Sequence, residues 1–439
     1  MRRLGALPLA ALAALALSSG PAHANGRFPS AGHVEVDPAD PAHVVLRATY
    51  GLVVSTDGGE RWSWVCEEAM SFAGIWDPPI GITAGGALLV GLPDGLTVST
   101  PDGCSFSRAG ALEGRLVADL AVDKKNPARA VVLTSSPQGA GFDTRLFVTE
   151  DGGASFIDVE AVFPDNLRGL TVDLTPDPAI VYVSGVLGGA MPMGVVLRSA
   201  DGGKTHAIEP LPGSDDTHGP FIGAVDPANP DKLYVRLEGA PGRLFASADG
   251  AKSWEEIFVG EGALLGFSLS PEGNALVVGG EKDGIWRSPT ATWAFEQVSR
   301  LHTRCLRWAD AGVYACTEEA LDGFSVGLSV TAGSTFGVAS RLADLCGPLA
   351  CPAGSSVNLQ CEPRWPIVRT TLNAVSCDGA GGGGPADGGP PPGDGPGKEP
   401  PGDCACGLAG GVTGGEAGAL FVALAGLGLT WARRRGRKS

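Results

Sequence analysis

The chain has 439 residues, with 67 glycines, 34 prolines and a formal net charge of −16 at pH 7. Because phosphate binding needs a basic surface, this charge argues against nucleic acid as a partner. The length suits one large or two ordinary domains, and the many glycines and prolines suit short strands joined by turns.

The first residues match the pattern of a secretory signal peptide. Arg2 and Arg3 precede an apolar run over residues 6–17, and Ala22-His23-Ala24 fits a small-residue cleavage site. We therefore predict a signal peptide over residues 1–24 and export of the mature chain. In an exported protein the ten cysteines are expected to form disulfides.

One short turn motif recurs along the body of the chain, with copies 39–50 residues apart. Its clearest copy runs from Thr149 to Phe156, with Asp151-Gly152-Gly153 at its centre. The seven copies end at Trp62, Phe106, Phe156, His206, Trp254, Trp293 and Phe336, and five of them keep an aspartate, at Asp57, Asp102, Asp151, Asp201 and Asp249. A short carboxylate can accept hydrogen bonds from its own turn, and an aromatic ring can be buried beneath it. We therefore predict a structural role for these aspartates.

Each repeat also contains a second kind of turn, which begins about 20–28 residues before the aspartate-containing turn. Clear examples begin at Asp37, Asp123 and Asp226, each followed by proline within four residues. Apolar segments with strand-like alternation flank both turns, so each repeat is predicted to hold four strands. Seven such repeats predict an all-β fold, a seven-bladed β-propeller of four-stranded antiparallel blades over residues 25–345.

The recurring turn resembles the Asp-box, or BNR, repeat of sialidase-like and sortilin-like β-propellers, roughly over residues 33–341. This resemblance implies a fold and says little about activity. Sialidases of this kind have six blades and use an arginine triad, a Tyr–Glu pair and an acidic aspartate. The present chain has no Phe-Arg-Ile-Pro-like start, and three of its four tyrosines lie in predicted strands. Sialidase activity is therefore not expected.

The remaining loops should share the opposite face of the propeller, where variable loops on a rigid scaffold commonly bind ligands. We predict that aromatic and charged residues of these loops converge over the central channel. The candidate ligand-binding residues are Trp76, Phe142, Asp143, Arg168, Asp216 and His218.

These loops suggest a surface-displayed, non-catalytic module that binds an extracellular glycan or protein. The alternative is a secreted glycoside hydrolase that uses two loop-face carboxylates. Carboxylates available for that chemistry are Asp143, Asp165, Asp215, Asp216, Asp283 and Asp322. The sequence contains no HExxH motif, phosphate-binding glycine loop or C-x-x-C pair. We therefore predict no catalytic set, no cofactor and no metal site.

The cysteines fall into two groups along the chain. Cys305 and Cys316 flank one turn symmetrically and should pair across a hairpin. Cys66 and Cys104 lie in neighbouring blades and are assigned to each other. The cysteines at positions Cys346, Cys351, Cys361 and Cys377 define a separate unit over residues 346–378, which is too small for its own core and should be held by disulfides of open connectivity.

The chain ends with a spacer and a sorting signal. Residues 379–403 are rich in glycine, proline and aspartate and form a linker. Residues 404–439 contain Cys404 and Cys406, an apolar transmembrane helix predicted over 417–432, and a basic cluster. This tail resembles the MYXO-CTERM tag, which implies cleavage by a myxosortase-type protease, processing or lipidation at Cys404 or Cys406, and display at the cell surface. A plain membrane anchor is the alternative.

Overall fold

The computed structural model describes residues 29–374. The predicted signal peptide (1–24), linker (379–403), sorting tag (404–439) and transmembrane helix (417–432) lie outside these residues, as do Cys377, Cys404 and Cys406. Within residues 29–374, none of the helices combines the length and the apolar composition needed to cross a membrane.

Seven antiparallel sheets follow one another along the described chain. Blade 1 contains β1 (Ala31–Val36), β2 (Val44–Ala48), β3 (Gly51–Ser55) and β4 (Trp62–Val65), and blade 2 contains β5 (Ile80–Ile82), β6 (Leu88–Leu92), β7 (Gly95–Ser99) and β8 (Phe106–Arg108). Blade 3 contains β9 (Val117–Val122), β10 (Ala130–Gln138), β11 (Gly141–Thr149) and β12 (Ile157–Asp158), and blade 4 contains β13 (Leu167–Leu174), β14 (Val181–Leu187), β15 (Met193–Ser199) and β16 (Ala207–Pro210).

The last three blades repeat this order. Blade 5 contains β17 (Pro220–Val225), β18 (Leu233–Leu237), β19 (Arg243–Ser247) and β20 (Glu255–Val259), and blade 6 contains β21 (Gly266–Leu269), β22 (Ala275–Gly280), β23 (Gly284–Pro289) and β24 (Glu296–Ser299). Blade 7 contains β25 (Thr303–Ala309), β26 (Gly312–Thr317), β27 (Val326–Ser329) and β28 (Gly337–Ser340). The seven-bladed propeller predicted from the repeats is confirmed.

The core of this propeller is divided into seven apolar layers, each between two neighbouring blades. Between blades 3 and 4, for example, Val131 and Leu146 face Val183 and Leu197, and all four side chains are buried. A corresponding layer joins blade 7 to blade 1 and closes the ring. The middle strands of each blade are therefore apolar on both sides, and this explains their long hydrophobic runs.

The recurring turn has the same hydrogen bonds in most of its copies. In blade 1 the Ser55 hydroxyl accepts from the Gly59 N–H at 2.8 Å, and the Asp57 carboxylate accepts from the Arg61 N–H at 2.9 Å. Equivalent bonds occur at Thr149 and Asp151, Ser199 and Asp201, and Ser247 and Asp249. Gly59 takes a φ of 98°, which an L side chain would resist. In blade 7 Thr331 takes the place of the aspartate.

Both turns of a blade lie at the same end of its strands. The Gly58 N–H donates to the Ala42 carbonyl at 2.9 Å, and the Gly202 N–H donates to the Ala179 carbonyl at 2.8 Å. We call this end of the propeller the turn face. The other connections form the loop face, which includes a four-residue helix, α1 (Glu319–Asp322), and 3₁₀ turns at Glu67–Met70 and Gly110–Leu112.

The disulfides confirm one cysteine prediction and correct another. Cys305 and Cys316 are direct partners in the β25–β26 ladder and form a disulfide. The pairing of Cys66 with Cys104 was wrong. Cys66 bonds Cys361, and Cys104 bonds Cys351.

Residues 345–374, which we call the C-terminal strap, explain this correction. Strand β29 (Leu345–Pro348) pairs in parallel with β4, so that blade 1 has five strands. Helices α2 (Ser356–Cys361) and α3 (Trp365–Leu372) follow, and Trp365 packs near Trp64 with ring centroids 6.1 Å apart. Because the strap is too small for its own core, it packs against blades 1 and 2, where Cys361 and Cys351 find their partners. A cysteine unit held only by internal disulfides is therefore excluded. Cys346 is also disulfide-bonded.

Candidate functional site

Three of the predicted residues come together on the loop face of blades 4 and 5. Arg168, at the start of β13, donates from Nη2 to the Asp216 carbonyl at 3.3 Å. His218 Nδ1 lies 3.0 Å from Asp215 Oδ1, which also accepts from the backbone N–H groups of Thr217 and His218. Asp215 thus shapes the loop, and the hydrogen bond from the Thr217 hydroxyl, followed by those from the backbone N–H groups of Thr217 and His218, holds the pKa of that carboxyl below its usual range.

The other three predicted residues lie in different sectors of the ring. Trp76, between blades 1 and 2, donates from Nε1 to the Gly91 carbonyl at 3.0 Å. Phe142 and Asp143 belong to β11 of blade 3. Asp143 bridges Arg115 and Arg145 at 2.9 and 2.8 Å, and Arg145, followed by Arg115, lowers the pKa of the Asp143 carboxyl. This arrangement braces the hairpin.

Several carboxylates of the hydrolase alternative also support loops. Asp283 is buried and accepts from the N–H groups of Glu261 and Gly262 at 2.6 and 3.0 Å. Asp322 accepts from the backbone N–H of His302 at 2.9 Å. Asp283 and Asp322 thus hold the neighbouring connections between blades, Asp143 pairs with two arginines, and Asp215 holds its own loop. Such contacts favour structural roles for all four over acid–base chemistry.

The central channel has a polar lining that the sequence analysis missed. It encloses about 580 Å³ and is lined by the first strand of every blade. Its ionisable residues are His33, Glu35, Arg47, Asp77, Asp119, Lys124, Asp173, Arg236, Arg304 and Arg307. None of the six predicted ligand-binding residues lines this cavity. In the sequence, the feature that could have revealed this lining is a single charged residue within an otherwise apolar first strand, such as Asp119 in Val117–Val122.

β-Bulges recur in these first strands. The pairing register shifts between Ala31 and His33 in blade 1, between Val117 and Asp119 in blade 3, and between Gly169 and Thr171 in blade 4. Blades 5 and 7 have corresponding shifts. A bulge bends its strand and redirects the neighbouring side chains, which here include His33, Asp119 and Thr171 on the channel wall.

Two channel carboxylates tie neighbouring blades together. Asp119 accepts from the Val172 N–H at 2.9 Å, and Asp173 accepts from the Val225 N–H at 3.0 Å. Burial raises the pKa of Asp119 to about 7. The pKa of Asp173 is also raised by burial, although the Lys124 ammonium acts against this shift. Each carboxylate therefore accepts a hydrogen bond from an N–H group on the exposed edge of the first strand in the next blade.

The channel arginines differ in their partners. Arg307 pairs with Glu35 at 2.9 Å, and Arg304 pairs with Glu281 at 3.0 Å and also with Glu318. Arg236 instead donates from Nη1 to the Leu264 carbonyl at 2.8 Å and lies over the Phe221 ring at 5.0 Å. Among residues 29–374, no carboxylate comes within ion-pairing distance of Arg236.

Arg236 and the Arg168 loop occupy adjoining positions. The Glu238 N–H donates to the Gly219 carbonyl at 2.9 Å, which joins the segment after Arg236 to the segment after His218. The His218 ring also packs against Gly239, where an added Cβ would lie 3.3 Å from it. We call Arg168, His218 and Arg236 the cationic sector.

Comparison with known proteins identifies the fold alone. The chain matches no protein-family model and no curated protein. Among solved structures it is similar to an ancestral GH74 enzyme, with a TM-score of 0.53 and 16% identity, over 72% of this chain and 46% of that one. It is also similar to Kuenenia stuttgartiensis hydrazine synthase, with a TM-score of 0.51 and 12% identity, over 71% and 99% of the two chains. The chain thus spans less than half of the GH74 enzyme.

Proposed function

We propose that this chain is an exported, surface-displayed β-propeller that binds a glycan or a protein, without catalysis, through the loop face of blades 4 and 5. The observation that carries this proposal is the grouping of Arg168, Asp216 and His218, three residues from two segments of the chain. A rigid seven-bladed scaffold supports them, and loops on such a scaffold are well suited to recognition.

The position of this group in the ring also supports the proposal. The C-terminal strap covers blade 1, and blades 4 and 5 lie across the ring from it. The β14–β15 connection beside the group presents Met191 with 89% of its surface exposed. Flexible, polarisable methionine is frequent at binding surfaces. The sector therefore offers apolar, cationic and hydrogen-bonding groups together.

The proposed localisation at the cell surface is based on the two terminal segments of the sequence. We propose a cleaved signal peptide, Asp-box repeats in the blades, and a C-terminal tag that a myxosortase-type protease processes before membrane attachment. The repeated turn hydrogen bonds support the Asp-box assignment. Replacing Cys404 and Cys406 with alanine is expected to change both the C-terminal mass and the membrane fractionation; if neither changes, the plain anchor is correct.

The glycoside hydrolase remains the second candidate, because Asp165 and Asp216 are exposed on the loop face. It is less well supported, since the other four candidate carboxylates already accept from backbone N–H groups or pair with arginines. The likeness to a GH74 enzyme concerns the fold alone and does not favour hydrolysis.

The two candidates are separated by incubating the full chain with a glycan array, with candidate surface proteins and with a panel of polysaccharides. We expect saturable binding that weakens in Arg168→Gln and no release of reducing sugar. Arg61→Gln is the matched control, because Arg61 is an exposed arginine in a turn-face turn. Release of sugar that is abolished by Asp216→Asn or Asp165→Asn would establish the hydrolase instead.

A further inference from the structure

The cationic sector contains two arginines that lack a carboxylate partner among the described residues. Within residues 29–374, Arg168 donates only to the Asp216 carbonyl, and Arg236 donates only to the Leu264 carbonyl. Arg304 and Arg307 also line the channel, and both are ion-paired. This contrast is notable in a chain with a net charge of −16, where acidic partners are abundant.

The surroundings of Arg236 make its unpaired state costly. Arg236 is partly buried in β18, directly opposite Phe221 in the ladder, and Leu264 and Leu265 lie beside it. Burial lowers the pKa of the guanidinium, and the nearby Glu238 carboxylate only partly offsets this effect. A charge withdrawn from water is normally paired. A guanidinium that presents unused N–H groups to a cavity is therefore suited to an incoming anion.

We propose that Arg236, assisted by Arg168 and His218, forms a subsite for the anionic group of an acidic polysaccharide. This inference rests on the proposed function and specifies its ligand class. The Arg236 fork would bind a carboxylate or sulfate oxygen pair, while the face of the sugar ring lies near Phe221. Arg168 and His218 would contact the same chain at the rim of the channel.

The shape and lining of the channel favour a sugar over a protein segment. A cavity of about 580 Å³ admits one or two sugar rings but no folded domain. Its wall carries carboxylates such as Asp119 and Asp173 as well as the Arg236 guanidinium, and a ring bearing several hydroxyl groups can use acceptors and donors together. An acidic peptide would use the arginine equally well but has fewer hydroxyl groups to offer this mixed lining.

The test asks whether binding depends on the negative charge of the polymer and on its being a polysaccharide. Binding of the full chain is measured to polygalacturonate, alginate and chondroitin sulfate, to fully methyl-esterified polygalacturonate, and to poly-glutamate. We expect at least one anionic polysaccharide to bind, with affinity that falls as salt rises. Arg236→Gln should weaken that binding on the order of 10- to 100-fold, as expected for the loss of a charged hydrogen bond. Arg61→Gln should leave it unchanged.

Further variants keep the test decisive. Arg236→Lys retains the charge but loses the fork and should bind with intermediate affinity. If Arg236→Gln unfolds, Arg168→Gln at the rim takes its place, with thermal unfolding as the check. Equal binding of esterified and acidic polygalacturonate, preference for poly-glutamate, or failure of every anionic polysaccharide would each overturn the inference. Binding of neutral glycans or a protein that is sensitive to Arg168→Gln but not to Arg236→Gln would leave the proposed function intact.

Discussion

Blade 1 and blade 4 contain the same turn but are held in the ring by different contacts. The turn hydroxyls of Ser55 and Ser199 each accept a glycine N–H at 2.8 Å. Beneath the turn of blade 1, Trp62 is buried, and its Nε1 donates to the Ala339 carbonyl of blade 7 at 2.8 Å. The equivalent position of blade 4 is His206, whose buried ring nitrogens have no hydrogen-bond partner among residues 29–374.

Blade 1 is also reinforced by distant parts of the chain. Its fifth strand, β29, and the Cys66–Cys361 disulfide come from the C-terminal strap. Blade 4 is held by its own turn, by the apolar layers that it shares with blades 3 and 5, and by the Asp119 and Asp173 hydrogen bonds that join it to those blades. The repeated motif therefore builds each blade, whereas ring closure uses residues outside the motif. The cationic sector lies in the part of the ring that has no strap.

The largest effect is expected from removing the link between strap and blade. Replacing Cys66 and Cys361 with serine opens a covalent loop of 295 residues. Loss of such a disulfide should lower the free energy of unfolding by about 2–5 kcal/mol. Guanidinium denaturation followed by tryptophan fluorescence measures this change.

The matched control for this change is replacement of Cys305 and Cys316 with serine. The disulfide between these two cysteines spans a sequence separation of only 11 residues. Because loop-closure entropy grows with loop length, this variant should lose less stability than the Cys66 and Cys361 variant. An equal or larger loss in the control would show that the strap contributes little to ring closure.

A smaller effect is expected within the turns themselves. Ser199→Ala removes the acceptor for the buried Gly203 N–H, and should cost about 1–3 kcal/mol. Ser55→Ala should cost a similar amount in blade 1, because the same bond is lost. Serine-to-threonine variants at both sites retain the hydroxyl and should be close to wild type. A much greater cost in only one blade would contradict the view that the turn is a local unit.

The repeat made the fold predictable, because each copy carries its own turn chemistry. Seven copies gave seven blades, and the symmetric spacing of Cys305 and Cys316 about one turn gave their disulfide. The partners of Cys351 and Cys361 could not be predicted, since they depend on where the strap packs. Sequence spacing suggested a local unit, but its apolar side chains are buried against blades 1 and 2.

The candidate site was predictable only in part, for a related reason. Arg168 and His218 stand out as polar, ionisable residues near predicted loops. Arg236 lies inside a strand, where a lone charge is usually a solvated position, and its lack of a carboxylate partner appears only in three dimensions. Trp76 and Asp143 look equally prominent in sequence, yet both are hydrogen-bonded within their own sectors.

The smallest expected effect concerns His206, the position where the turn of blade 4 departs most from that of blade 1. The imidazole stacks on Phe163 with ring centroids 4.5 Å apart, and both of its nitrogens are buried. His206→Phe keeps a ring of similar shape and removes two unsatisfied polar atoms. It should raise the free energy of unfolding at pH 7 by about 1 kcal/mol. Phe156→His, the reverse change in blade 3, should lower it.

The pH dependence tests the cause of this gain. Burial lowers the pKa of His206 to about 4, although the Asp201 carboxylate and the Val162 backbone act in the opposite direction. In the unfolded chain the His206 imidazole binds a proton near pH 6.5, whereas in the folded chain it does so only near pH 4. Stability from the neutral ring is complete above pH 6.5 and is lost as the pH falls toward 4. The advantage of His206→Phe should widen across this range, and a constant difference from pH 7 to pH 4 would show that the ring is not held neutral by burial.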